Sequence, residues 1–318
     1  MKRCADWICK DDEVIGRSAD VIVCAVQLGL IKPDCLWIEL DEEISFINKN
    51  IDGGVDLLVF PEYHGLLLQL LAVGNDPHGT AISEISAMNL HMKTEDLFSF
   101  YSEIASSLRT NVITGSFLSE EEDSRYMSVG LFDRNGNLLG YQNKTHPSNF
   151  DSKLGANHGH RLRIMRCDAG RIGVMIGEDR FLPEISRDLS LQGANVFASP
   201  CSSSKQLNIF QQACGLWRQV QSEQVYGIES YLVGTFFKSN YHGRSAIVFP
   251  VEISHDRSGF QKISDIADSS QVVREELDFA KLQRNIKSYP IYSNLNFDLY
   301  RLKLRGAYEK LERFSEPH

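Results

Sequence analysis

Gly173-Val-Met-Ile-Gly-Glu-Asp-Arg-Phe-Leu-Pro-Glu-Ile-Ser186 has the form of a strand running into a tight turn and then a helix. Apolar residues lead up to Gly177, and Pro183 suits the first turn of a helix, where its missing N–H is not needed. A nucleophile is commonly mounted at such a bend, because helix N–H groups nearby favour a thiolate. Here the bend falls on Gly177, which accepts the turn without steric cost and carries no reactive atom.

Outward from this stretch, β-branched runs predict strands at Val21 to Gln27, Val55 to Phe60, Asn111 to Phe117, Met127 to Phe132, Arg171 to Ile176, Ala194 to Ser199 and Tyr231 to Phe236. Helical patterns lie between them at Asp41 to Asn50, Thr94 to Leu108, Pro183 to Gln192 and Phe210 to Ser230. The order is largely β-α-β-α, with a strand-rich middle in which Asp133-Arg-Asn-Gly136 reads as a hairpin turn. No low-complexity block or solenoid repeat divides the chain, so one main domain over residues 19–300 is expected. Residues 1–18 form a charged, aperiodic N-terminal tail, and 301–318 a C-terminal helical tail. The spacing of Phe297, Tyr300, Leu304, Tyr308 and Leu311 gives that end an amphipathic helix that packs on the body or on a second subunit.

The 318 residues, 42% hydrophobic and 24% charged, are ordinary for a globular protein. A formal charge of −9 argues against nucleic acid as a partner, since phosphate contacts need clustered Lys and Arg. Leu66 to Val73, the longest apolar run, is far short of the roughly 20 residues that span a bilayer, and no membrane association is expected. Lys2 and Arg3 are followed by Asp6, Asp11, Asp12 and Glu13 rather than by the apolar core of a secretory signal. The seven cysteines are odd in number and irregularly spaced, which suits reduced thiols and a cytoplasmic location.

Chemistry has two further places to sit. Asp56-Leu-Leu-Val-Phe-Pro-Glu62 is a strand ending in a carboxylate, and strand carboxyl ends are where open α/β sheets bind ligands. Glu62 is therefore a candidate general base or a helix cap, with Tyr63 and His64 as pocket walls. Leu138-Leu-Gly-Tyr-Gln-Asn-Lys144 is a second strand ending in charge, and a lysine beside a carboxylate can stabilise an oxyanion, although a surface lysine is the default. His146, His158 and His160 with Asp151 are ligand types in a polar loop that is more often just solvated, so neither a metal nor a cofactor is expected. Asp179 accepts from the turn's backbone or pairs with Arg180 or Arg187.

Taken in order, strand-Phe-Pro-Glu62, Lys144-x-His and Gly-Val-x-Ile-x-x-Asp-x-x-x-Pro-Glu-x-x-Arg resemble the nitrilase, or carbon-nitrogen hydrolase, superfamily. The separations of 82 residues from Glu62 to Lys144 and 33 from Lys144 to Gly177 are of the size such proteins show. Gln192-Gly-Ala-Asn195, Trp217-Arg218 with Glu223, Gly243-Arg-Ser245 and Glu276-Leu-Asp278 extend the resemblance over roughly residues 20 to 300. It implies a four-layer α-β-β-α sandwich, a homodimer or higher homo-oligomer, and a Glu-Lys-Cys triad that acts through a thioester. In that triad Glu62 falls on the base, Lys144 on the oxyanion stabiliser and Gly177 on the cysteine. The family's second glutamate has no clear counterpart, since Glu103, Asp151 and the loop around Asn157 match poorly.

Without a thiol at position 177, Glu62 and Lys144 have nothing to activate. One reading is a ligand-binding or scaffold protein that keeps the two as an ion pair and takes a small amide- or carboxylate-like ligand, with Glu178 beside it. The alternatives are an active amidohydrolase in which Cys201, after the neighbouring strand, substitutes as nucleophile; an ordinary amidase in which Gly177 is an inactivating change; and hydrolysis by water with Glu62 as base.

Overall fold

The computed structural model describes residues 20–31, 35–51, 53–88, 90, 94–288, 294–306 and 308. The expected tail 1–18 and Leu311 lie outside them. The strands are Val21–Gln27 (β1), Leu57–Val59 (β2), Asn111–Ile113 (β3), Phe117–Glu121 (β4), Ser124–Phe132 (β5), Leu138–Asn143 (β6), Ile164–Cys167 (β7) and Gly170–Val174 (β8). They continue as Val196–Cys201 (β9), Tyr226–Tyr231 (β10), Gly234–Phe236 (β11), Ser239–Tyr241 (β12), Ala246–Val248 (β13), Phe260–Ile263 (β14) and Gln271–Leu277 (β15). The helices are Leu36–Asn50 (α1), His64–Ala72 (α2), Ile82–Ala87 (α3), Thr94–Leu108 (α4), Asn149–Lys153 (α5), Pro183–Leu191 (α6), Ile209–Gln212 (α7), Arg218–Glu223 (α8), Phe279–Ser288 (α9) and Phe297–Leu299 (α10).

One sheet runs β15-β1-β2-β3-β5-β4, with β6 on the other edge of β5, and the second runs β14-β13-β10-β9-β8-β7. The inner strands β1, β2 and β3 are parallel, as are β8, β9 and β10. Their period-2 alternation sets the layers. Val21, Val23 and Ala25 of β1 face Ile172, Val174, Val196 and Ala198 of the second sheet in a dry core between the sheets. Cys24 and Val26 point outward onto α1 and α4 through Leu40, Ile47, Phe100 and Ile104. On the far side, Met175 and Phe197 pack beneath Ile185 and Leu189 of α6 and Val220 of α8. Helix, sheet, sheet, helix is the four-layer sandwich expected.

The expected helix over Phe210 to Ser230 is corrected. It runs from Ile209, bulges at Ala213–Trp217 around non-helical Gly215, and stops at Glu223 with Gln224 in the left-handed region at φ 53°. The chain then enters an inner strand, because Tyr226 through Tyr231 pair in register with Val196 through Cys201 of β9 and tertiary pairing overrides helix propensity. The strand expected at Tyr231 to Phe236 is in turn only the short β11, in a hairpin with β12. The Asp133 turn forms as expected, closed by the Gly136 amide donating to the Asp133 carbonyl and with Gly136 at φ +84°.

Candidate functional site

Four strands deliver the site from their carboxyl ends. β2 leads through Pro61 to Glu62, β6 to Lys144, β8 to Gly177 and β9 to Ser202. The ammonium of Lys144, wholly buried, donates to Glu62 Oε1 at 2.7 Å, Asp151 Oδ2 at 2.7 Å and Glu178 Oε2 at 2.5 Å. The second oxygen of Glu62 accepts from Ser202 Oγ at 2.6 Å. Glu62 and Asp151 are buried, while the Glu178 side chain is 49% exposed and marks the side from which the cluster meets solvent.

The supports are local. Lys144 is held on both sides by backbone, its amide donating to the Met127 carbonyl and its carbonyl accepting from the Gly159 amide. Asp151 caps its own helix with Ser148 and accepts from the Tyr63 hydroxyl at 3.0 Å. Tyr63 takes a left-handed φ of 64°, an uncommon conformation for a bulky residue, stabilised by its amide donating to Ser116 Oγ at 2.8 Å. Asp179 accepts from Thr145 Oγ1 and from the amides of Thr145, His146 and Ile176, which ties the turn after β8 to the strand end carrying Lys144. Its partners are backbone amides, the Thr145 hydroxyl and the His146 ring at 2.9 Å, and neither of the arginines anticipated for it. Arg180 instead donates to the Gly177 carbonyl at 2.5 Å and pairs with buried Glu229 at 3.4 Å.

Gly177 lies against this cluster. Its φ is +54°, where side chains are disfavoured, and a Cβ built there would stand 2.1 Å from Glu62 Oε1 and 2.7 Å from Lys144 Nζ. Any side chain at this position has to displace the acid, the amine or both.

Burial raises the Glu62 carboxyl to about 7; Glu178 and Asp151 push the same way, and Lys144 opposes them. Burial alone would lower Lys144, but Glu62, Asp151 and Glu178 together hold it above the ordinary lysine range, so it stays charged. Burial first, and the two neighbouring carboxylates after it, let Glu62 hold a proton near neutrality beside the ammonium. Glu62, Asp151 and Glu178 are also the one group of acids, histidines or cysteines among the described residues close enough together to share a metal ion. The Lys144 ammonium already occupies their common hydrogen-bonding position. His146 and His158 bond instead to Asp179 and to the Thr145 carbonyl.

Three sequence expectations are corrected by this geometry. Cys201 does not face the cluster. Strand alternation puts it on the helix side of β9, fully buried, with Sγ against Ser199 and 3.7 Å from Glu229, and burial holds the thiol well above its ordinary pKa. It is Ser202, the next residue, that reaches Glu62. His64 is not a pocket wall. It turns into the core, 2.6 Å from Glu43 and 2.8 Å from the Tyr101 hydroxyl, and burial lowers it to about 4. Asp151, a poor match by spacing, joins the cluster directly, and the Ser148-x-x-Asp151 capping pattern was the available signal for a helix end there. Glu62, Tyr63, Lys144, Gly177 and Glu178 are brought together.

The profile of the carbon-nitrogen hydrolase family matches residues 23–253. A relative named probable hydrolase YhcX, from Bacillus subtilis, is 25% identical over 261 residues, which are 80% of this chain and 49% of that protein. The chain thus spans about half the length of that relative. Two solved structures share the fold. The carbon-nitrogen hydrolase from Helicobacter pylori G27 superposes with a TM-score of 0.71 at 16% identity, covering 89% of this chain and 98% of that one. A double mutant of the amidase from Nesterenkonia sp. AN1, in complex with acrylamide, gives 0.66 at 15% identity, covering 90% and 97%. No helix among the described residues is long and apolar enough to cross a membrane.

Proposed function

Since the chain belongs to the carbon-nitrogen hydrolase family, we propose that it is a binding form of that scaffold, in which Gly177 stands at the position of the family's cysteine and no thioester is made. The observation that carries this reading is the close approach of Glu62 and Lys144 to Gly177, which leaves a Cβ 2.1 Å from a carboxylate oxygen. A catalytic thiol needs room beside its base, and here the base and the ammonium have closed onto the backbone.

The same groups suit a small amide- or carboxylate-like ligand. When half-exposed Glu178 swings out, one Lys144 N–H is freed for a ligand carbonyl or carboxylate oxygen, and Glu62, part protonated near neutrality, supplies an O–H. In its ionised state Glu62, with Asp151, accepts from an amide NH2. The acrylamide complex of the related amidase supports the amide choice. Cys201 is set aside as a substitute nucleophile because its sulfur is buried on the opposite face of β9 and held as a thiol. Location in the cytoplasm and assembly as a homo-oligomer belong to the same reading.

The test is calorimetric titration with simple amides, N-carbamoyl amino acids and carboxylates, alongside ammonia release. Binding without ammonia release is expected, and release by Gly177→Cys alone would identify position 177 as the lost nucleophile. Release by the unaltered protein that disappears in Cys201→Ala overturns the proposal.

A further inference from the structure

On the outer face of the first sheet, Phe117 of β4 packs against Phe98 of α4, and strand alternation puts polar residues next on that face. Ser119 Oγ lies 2.6 Å from Ser128 Oγ on β5, Ser128 donates to Asn143 Oδ1 on β6 at 2.7 Å, and the Asn143 amide donates to Glu121 Oε1 at 3.1 Å. The row crosses three strands and faces away from the Lys144 cluster, since Asn143 and Lys144 are consecutive in extended chain and point to opposite sides.

At the end of the row opens a cavity of about 460 Å³, the size of a small-molecule site, and its two sides carry opposite charge. Glu121 and Glu122 enter from the turn between β4 and β5, and Arg161 and Arg163 from the segment beside β6, with Tyr126 and Tyr141 also in the lining. That segment is fastened. Gln142, only 2% exposed, donates from Nε2 to the Arg161 carbonyl at 2.6 Å and accepts at Oε1 from the Arg163 amide at 3.1 Å. Burial and then Glu121 raise the Tyr141 hydroxyl above the ordinary tyrosine range while Arg163 opposes them, so acid and guanidinium flank one ring. Among the described residues neither guanidinium is paired with a carboxylate, and Glu121 accepts from the neutral Asn143 amide.

We propose that this cavity is a binding site for a small zwitterion, an amino acid or ω-amino acid, whose carboxylate pairs with Arg161 and Arg163 and whose ammonium is held by Glu121 and Glu122. Guanidinium forks suit a carboxylate, and the two acids repel a polyanion while accepting from an ammonium. The site shares no lining residue with Glu62, Lys144 and Glu178 and stands whatever that pocket binds.

Calorimetric titration of the full chain with β-alanine, 4-aminobutyrate and 6-aminohexanoate tests it, with butyrate and butylamine as probes of a single charge. At least one zwitterion should bind, and more tightly than either single-charge probe by about tenfold or more. Arg163→Gln and Glu121→Gln change side chains that reach the surface, so the circular dichroism of the body should be retained while each weakens zwitterion binding by about tenfold. Butyrate binding as tightly as 4-aminobutyrate overturns the zwitterion, and binding untouched by both substitutions moves the ligand out of this cavity. Failure of all three zwitterions to bind overturns the site.

Discussion

Replacing Lys144 by methionine keeps an unbranched side chain one atom shorter and removes the one ammonium that three carboxylates share. Lys144 and two of its partners are buried, so the lost charge is not replaced by water. Removing one side of a buried ion pair costs about 3 to 5 kcal/mol, a large part of the roughly 5 to 15 kcal/mol by which a domain is stable. The cost must depend on pH. Without the ammonium the acids bind protons more tightly in the folded state than in the unfolded chain, so the variant recovers stability as pH falls. Urea unfolding of both proteins at about pH 8.5 and about pH 5 measures this, with the full penalty expected at the higher value and a smaller one at the lower. A Lys144→Met protein within about 1 kcal/mol of the parent at alkaline pH refutes the argument that the cluster is closed and dry.

Glu62→Gln tests the proton held in the cluster. A carboxyl that titrates near 7 in the fold and near 4.5 when unfolded lends stability that is complete below about 4.5 and lost as pH rises through about 7. The parent should therefore lose up to about 3 kcal/mol across that window and Glu62→Gln should not, as chemical denaturation at several pH values will show; equal slopes would contradict the assignment. Gly177→Ala should destabilise by about 2 to 4 kcal/mol, from the left-handed φ and from overpacking against Glu62, and an unchanged melting temperature would mean that the turn has room for a side chain. Glu178→Gln should alter stability by less than about 1 kcal/mol, since Glu178 is half exposed, while changing ligand affinity in the calorimetric titration; a loss as large as that of Lys144→Met would show that Glu178 holds the fold instead of gating the pocket.

Much of the architecture is legible in the sequence because local and tertiary preferences agree. Val21 to Gln27 reads as a strand and is one, and Thr94 to Leu108 carries its apolar residues on one helical face and buries Leu97, Phe100, Tyr101 and Ile104. Local pattern misleads where the two disagree. Tyr226 to Tyr231 continues an apolar helical pattern, yet the open edge of β9 captures it as a strand. In the site, Glu62, Lys144 and Gly177 are legible because each ends a recognisable strand. Asp151 and Ser202 are not, since they come from a short capped turn and from the residue after a strand, and only the closing of the two sheets brings them to Lys144 and Glu62. Cys201 is misplaced by one step of the strand pleat, which decides between the pocket side and the helix side.

The central claim is that no cysteine of this chain serves as a thioester nucleophile, and the rate of alkylation at Cys201 tests it most directly. With the folded protein exposed to limiting iodoacetamide and the cysteines mapped by mass spectrometry, exposed Cys35 and Cys214 should react and Cys201 should remain unmodified until the protein unfolds. Rapid, stoichiometric modification of Cys201 in the folded protein, suppressed by an amide ligand, would contradict the account and place a reactive thiol in the pocket.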